Sequence, residues 1–174
     1  MPVYVGRYTN GDYGFSVTIP KSVEAFGTPD AAPNHGFAIS ISKTPYSYLW
    51  VDGSFAVGDC DNDQAIPQFE MALLRDRGAL NVSMIKQAKT RLGGLSGIHF
   101  IIGYELRGSP MVSERIWALR APKGGGVGIK YSINLECAQE RFDRDSKIVE
   151  SLRRGELQNL SIDHSPNMSL ILGL

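Results

Sequence analysis

Residues Leu92–Cys137 read LGGLSGIHFIIGYELRGSPMVSERIWALRAPKGGGVGIKYSINLEC, three strand-like segments separated by two glycine-rich breaks. Ile98, Phe100, Ile102, Tyr104 and Leu106 fall on one side of an extended chain. Val127, Ile129, Tyr131, Ile133 and Leu135 fall on one side of another, with Lys130, Ser132, Asn134 and Glu136 opposite. Side chains alternate with period two along a strand, so this pattern predicts half-buried antiparallel strands with one polar face. The breaks GGLSG (93–97) and KGGGVG (123–128) each join two strands, and neither opens a helix. A phosphate cradle needs a helix N-terminus behind it, so both read as hairpin turns.

Toward the N-terminus the same reasoning finds strands over Val3–Thr9 and Tyr13–Ile19, joined by Asn10-Gly11, the dipeptide suited to a two-residue hairpin turn. Pro20 ends the second strand, and residues 21–34 read as an irregular connection with room for one helical turn. Gly36–Ser42 alternates and finds its partner in Tyr48–Val57. From about Gln64 to Arg77, Ile66, Phe69 and Leu73 share one side at helical spacing, and Gly78 suits the helix end. Asn81–Leu92 carries Lys86, Lys89 and Arg91 over both faces and reads as an edge strand, where such charges deter pairing with a second molecule. Ala138–Arg154 closes the pattern as a helix lined by Ala138, Phe142, Val149 and Leu152, with Glu140/Arg144, Asp143/Lys147 and Glu150/Arg154 as i,i+4 ion pairs. The expected organisation is one domain over 1–174, with a core at 3–155 and an extension at 156–174. The apolar tip of that extension, Leu170, Ile171, Leu172 and Leu174, is expected to dock on the domain or on a partner.

Bulk composition narrows the function classes. The 174 residues suffice to bury roughly two thirds of the extended-chain surface in one core. Lysine plus arginine equals aspartate plus glutamate at 18 each, so no global field favours nucleic acid or an anionic membrane. Two cysteines, Cys60 and Cys137, are too few for a disulfide framework and read as free thiols. No segment approaches the ~20 apolar residues of a membrane span, and the first residues lack a secretory pattern, so a cytoplasmic location is expected.

The order of elements is an N-terminal hairpin opening on YGFSVTIP, a helix after the fourth strand, a long meander and a late charged helix. It resembles the PsbP-like fold family, which includes the PsbP subunit of the oxygen-evolving complex, a Ran-GTPase-binding protein of nuclear import and bacterial DcrB-like proteins. The residues that carry the likeness are Tyr13-Gly14-Phe15 running to Pro20, the Arg91–Tyr104 strand pair around Gly93-Gly94, and Ala138, Phe142 and Ile148 of the late helix. The resemblance covers about residues 8–154. It implies an α+β fold, an antiparallel sheet of about six to eight strands covered by helices in an α/β/α sandwich. It carries over no catalytic residue, and it implies protein binding, the commonest role in the family.

Few side chains suggest chemistry. The run DCDNDQAIPQFE places Asp59, Asp61, Asp63 and Glu70 at positions 1, 3, 5 and 12 of a calcium loop. Gln64 stands where the sharp turn wants glycine, and the helix-loop-helix setting is missing, so an acidic loop before a helix N-terminus competes with the metal reading. His35, His99 and His164 lie in separate segments, and an enzyme would need a cleft bringing His99 or His35 to an acidic partner. Cys60, between Asp59 and Asp61, has its thiolate disfavoured by like charge. The sequence therefore favours a non-enzymatic protein-binding domain without cofactor, serving as adaptor, effector chaperone or immunity-type partner and open to homodimer formation. The alternative is a calcium- or small-molecule-binding module using 59–70. The polar face carrying His99, Glu105, Lys130 and Asn134 is the expected binding face.

Overall fold

The computed structural model describes residues 2–27, 35–56, 65–121, 127–154 and 158–159. Its main sheet has eight antiparallel strands: β1 (Val3–Tyr4), β4 (Ala25–Phe26), β5 (Gly36–Lys43), β6 (Tyr46–Ala56), β7 (Leu80–Leu92), β8 (Leu95–Leu106), β9 (Ser109–Arg120) and β10 (Gly128–Ala138), in the spatial order β1-β4-β5-β6-β10-β9-β8-β7. A small second sheet holds β2 (Arg7–Asn10), β3 (Phe15–Thr18) and β11 (Gln158–Asn159). Helix α1 (Ala65–Asp76) follows β6, and α2 (Phe142–Arg154) follows β10 through a 3₁₀ turn at Gln139–Arg141.

Local chemistry explains the turns. Leu92 pairs with Leu95 across Gly93 and Gly94, at φ +56° and +79°, and Leu106 pairs with Ser109 across Arg107 and Gly108, at φ +52° and +76°. Two positive-φ residues form the hairpin turn whose twist matches that of the strands. The first hairpin differs from the expected one. Asn10 pairs with Phe15, so four residues connect β2 and β3 in place of a two-residue turn. The Asn10 carboxamide oxygen accepts the Tyr13 N–H at 3.0 Å and its amide donates to the His35 carbonyl at 3.0 Å, which closes the wider loop. The expected first strand also breaks at Gly6, φ +76°, so that Val3–Tyr4 joins the main sheet through Ala25–Phe26, within the stretch expected to be an irregular connection.

The strand register reveals why this sheet has two cores. Phe100 lies opposite Arg115, which lies opposite Asn134, whereas His99 lies opposite Ile116, which lies opposite Ile133. The apolar residues of β8 and those of β10 therefore point to opposite faces. On one face Ile98, Phe100, Ile102 and Tyr104 pack with Trp117 against Met71 and Leu74 of α1. On the other, Tyr131, Ile133, Leu135 and Cys137 pack with Val149 and Leu152 of α2 and with Phe15 and Val17 of the small sheet. Helices on opposite faces make an α/β/α sandwich, and Met111–Ala118 and Tyr131–Cys137 are buried throughout. The half-buried pattern expected from alternation does not hold in these strands, because both faces are covered.

Helix α1 is also turned from its expected setting. Pro67, Glu70, Met71 and Leu74 form the buried stripe, while Phe69 is 59% and Leu73 39% exposed. The stripe has perfect i, i+3, i+4, i+7 spacing but contains a carboxylate, which composition alone argues against. The helix stops as predicted at Gly78, φ +85°, with the Ala79 N–H bonded to Leu74 O at 3.0 Å and the Gly78 N–H to Arg75 O at 2.9 Å. In α2 the Glu150–Arg154 pair forms at 2.8 Å, but Arg144 turns to Asp145 at 3.0 Å.

Candidate functional site

The α1 face of the sheet carries a seam of paired charges and aromatic rings. Arg115, on β9, reaches Glu70 of α1 at 3.3 Å, donates to Asn134 Oδ1 at 3.0 Å, and lies 4.7 Å from the centroid of Trp50. Asn134 in turn donates to Ser132 Oγ at 2.8 Å. Arg77, just past α1, grips Glu136 with two bonds of 3.0 and 3.2 Å, which raises the Arg77 pKa. Lys130 stands 4.5 Å over the ring of Trp117. Tyr46, Tyr48 and Trp50 run along β6 beside this seam, their neighbouring centroids 6.5 and 6.0 Å apart. Burial raises the Asp52 carboxyl, with Lys130 and His35 opposing the shift. Cations and anions alternate here, so the seam binds the helix to the sheet and offers no excess of either sign.

The four residues of the expected binding face do not come together. Lys130 and Asn134 belong to the α1 face, whereas His99 and Glu105 lie on the α2 face with Ile133. His99 does meet an acid: its Nε2 is 2.8 Å from Glu114 Oε1, with side-chain exposures of 19% and 5%. Their strand neighbours are Ile116, Ile133 and Leu135, so the pair sits among aliphatic side chains at the sheet surface. Glu105 accepts from Asn81 at 3.4 Å at the far end of the hairpin. Of the expected calcium ligands, Asp59, Asp61 and Asp63 lie outside the described residues, as does Cys60, and Glu70 is buried against Arg115. His164 and the apolar tip of the extension likewise lie outside them. Among the described residues no group of three or more metal-ligating side chains converges. Cys137 is fully buried, and burial pushes its thiol up to about 12.

On the α2 face, Asp145 is fully buried at the start of the helix. Burial opposes its charge, but the nearby Ser47 hydroxyl and the hydrogen bonds from Arg144 and Arg141 outweigh that and hold its carboxyl below the usual range. A groove of ≈ 630 Å³ runs beside it, between α2 and β5, lined by Val23, Ile39, Ile41, Ile148 and the arginines 141 and 144.

A further open surface lies on β7, which ends the sheet, as predicted. Residues 85–89 are all exposed, with Ile85 at 61%, and Leu80 at the strand's start is 63% exposed. On β7, Val82 and Met84 are packed against the core under helix α1. The edge was legible in the lysines. The outward setting of Phe69 and Leu73 was not, because it follows from the Glu70–Arg115 pair.

No protein-family model and no curated protein matches the chain. Solved structures do. LpqN of Mycobacterium tuberculosis, described as involved in cell envelope biogenesis, superposes with TM-score 0.64 at 13% identity over 87% of this chain and 88% of its own. The Ran-binding protein Mog1p of Saccharomyces cerevisiae gives 0.57 at 10% identity over 91% and 97%. Cyanobacterial PsbP from Synechocystis sp. PCC 6803 gives 0.55 at 13% identity over 88% and 90%. Such identities speak to architecture alone, and on that level the chain has the PsbP-like fold that these three proteins share.

Proposed function

We propose that the chain is a non-enzymatic protein-binding domain, serving as an adaptor, effector chaperone or immunity-type partner. The observation that carries the reading is the helix–strand unit α1–β7, in which Phe69 and Leu73 stand on the outer face of α1 at 59% and 39% exposure, and Leu80 and Ile85 on the other side of the sheet, along β7, at 63% and 61%. Large apolar side chains displayed along one unit are a feature of recognition surfaces. Mog1p, a Ran-binding protein, shares the fold over nearly its whole length and supports a protein as the partner. The PsbP-like scaffold suits such a role because both cores are closed by helices, which leaves the hairpin edge and the outer helix face for contact.

The test is cross-linking of the immobilised chain to soluble extract, with mass-spectrometric identification of the captured protein and of the linked lysines. The expected result is one identified partner whose links fall on Lys86 or Lys89, and whose capture drops when Phe69 and Leu73 are replaced by serine. Absence of any partner enriched over a scrambled-surface control would refute the reading. So would turnover of a small molecule that is lost in His99→Gln, because it would turn the His99–Glu114 pair into catalytic machinery.

A further inference from the structure

We infer that strand β7 is a docking edge for an extended, acidic segment of a partner protein, which adds to the main sheet as a ninth, antiparallel strand. This rests on the protein-binding reading and names its surface and the chemistry of its partner. β7 is 13 residues long and closes the sheet order. Register shifts interrupt its first half, between Leu80 and Ser83 and between Met84 and Lys86. From Lys86 to Leu92 it runs without interruption, each residue paired in turn with Ile101 through Leu95 of β8. An uninterrupted strand at the end of a sheet is a template for strand addition, in which main-chain bonds supply affinity and side chains supply selectivity.

The charges on this edge select the occupant. The whole chain is neutral, with 18 cations and 18 anions, yet Leu80–Leu92 holds Lys86, Lys89 and Arg91 and no acid. The only acid of β8, Glu105, lies opposite Leu80, far from the three. None of them forms an ion pair among the described residues. Lys89 and Arg91 also line a depression of ≈ 480 Å³ with Thr90, Ser96 and Gly97. A second copy of the chain would bring three cations from each strand into one ribbon, which like-charge repulsion disfavours. A strand bearing carboxylates turns the same charges into cross-strand pairs.

The register dictates the spacing. Lys89 shares a face with Ile98 and Arg91 with Ser96, both on the α1 side, whereas Lys86 shares the opposite face with Ile101. An antiparallel partner meets Arg91, Lys89 and Lys86 in that order, so its acids belong at positions 1, 3 and 6, with the third on the other face from the first two.

The probe is the synthetic peptide Glu-Thr-Glu-Val-Thr-Glu-Ile, titrated into the ¹⁵N-labelled full chain and followed by amide chemical shifts. A peptide of the same composition with its glutamates in consecutive positions is the control. The expected result is saturable shifts along Lys86–Leu92, weakening at least about tenfold both with K86E/K89E/R91E and on raising salt from about 0.05 to about 0.5 M. All three side chains to be reversed are outside the cores, and an unchanged melting temperature shows that the variant is folded. No shift along β7, equal binding by the variant, or equal binding of the control peptide overturns the proposal. Sedimentation showing that the chain pairs with a second copy through β7 overturns it as well. If a cross-linked partner protects a different surface from hydrogen exchange, this proposal fails and the protein-binding reading stands; if no partner is captured, the broader reading fails with it.

Discussion

Replacing Glu70 by alanine should cost far more stability than removal of an ordinary carboxylate from a helix. Its oxygen lies 3.3 Å from the Arg115 guanidinium, and the two side chains are only 12% and 10% exposed. Asn134 and the Trp50 ring hold the other sides of Arg115, so the guanidinium has no route into solvent without disrupting the sheet face. Breaking a buried pair from one side strands a charge, which costs about 3–5 kcal/mol, and the slight exposure places this case near about 3. For a chain of this size that is a fall in melting temperature of roughly 6–12 °C. Glu70→Leu combined with Arg115→Met removes both charges and should lie much closer to the parent, with a coupling energy of about 2 kcal/mol or more from the double-mutant cycle. Urea unfolding at neutral pH measures all four corners. Single substitutions that each cost under about 1 kcal/mol would refute the reasoning, since they would show that water already reaches the guanidinium. The same experiment bears on the calcium alternative: an ion that recruited Glu70 would have to displace Arg115, so added calcium should leave the melting temperature where it is.

Asp145→Asn should destabilise the protein most near neutral pH, because the folded-state carboxyl is lowered. Stability from such a group is present above its unfolded value of about 3.9 and is lost as pH falls through the folded one, so the gap between parent and variant should close below about pH 4. A gap that is constant from pH 7 to the acid limb would contradict the assignment. Gly53→Ala would place a Cβ 2.7 Å from Cε1 of the fully buried Phe15 and 3.1 Å from Cβ of Tyr13, an overpacking worth about 1–3 kcal/mol in denaturant unfolding. In a Cys60→Ser background, Cys137 should resist thiol reagents in native buffer and react on denaturation, since burial both hides the thiol and raises it to about 12. Native-state labelling at a rate like that of a free thiol would show that the α2 layer opens.

The alternation of β8 and β10, the edge character of β7 and the Gly78 helix stop were legible because each is a local rule written in consecutive residues. The strand Ala25–Phe26 was not, since two residues carry no periodicity and only a partner makes them a strand, nor was the division of Val3–Thr9 at Gly6 between two sheets. The setting of α1 was missed for a related reason. Two stripes competed, and the one containing Glu70 wins because Arg115, 45 positions along the chain, neutralises it from another element.

The antiparallel meander, its turns and the charged edge are written in consecutive residues, because backbone sterics and side-chain period act between near neighbours. Tertiary structure alone decided which face each side chain serves. His99 and Asn134 both oppose apolar residues in their own strands, yet the register through β9 sends them to opposite sides of the sheet. That parity depends on where strands distant in sequence align, and there the expected single polar face became two closed cores with an exposed edge beside them.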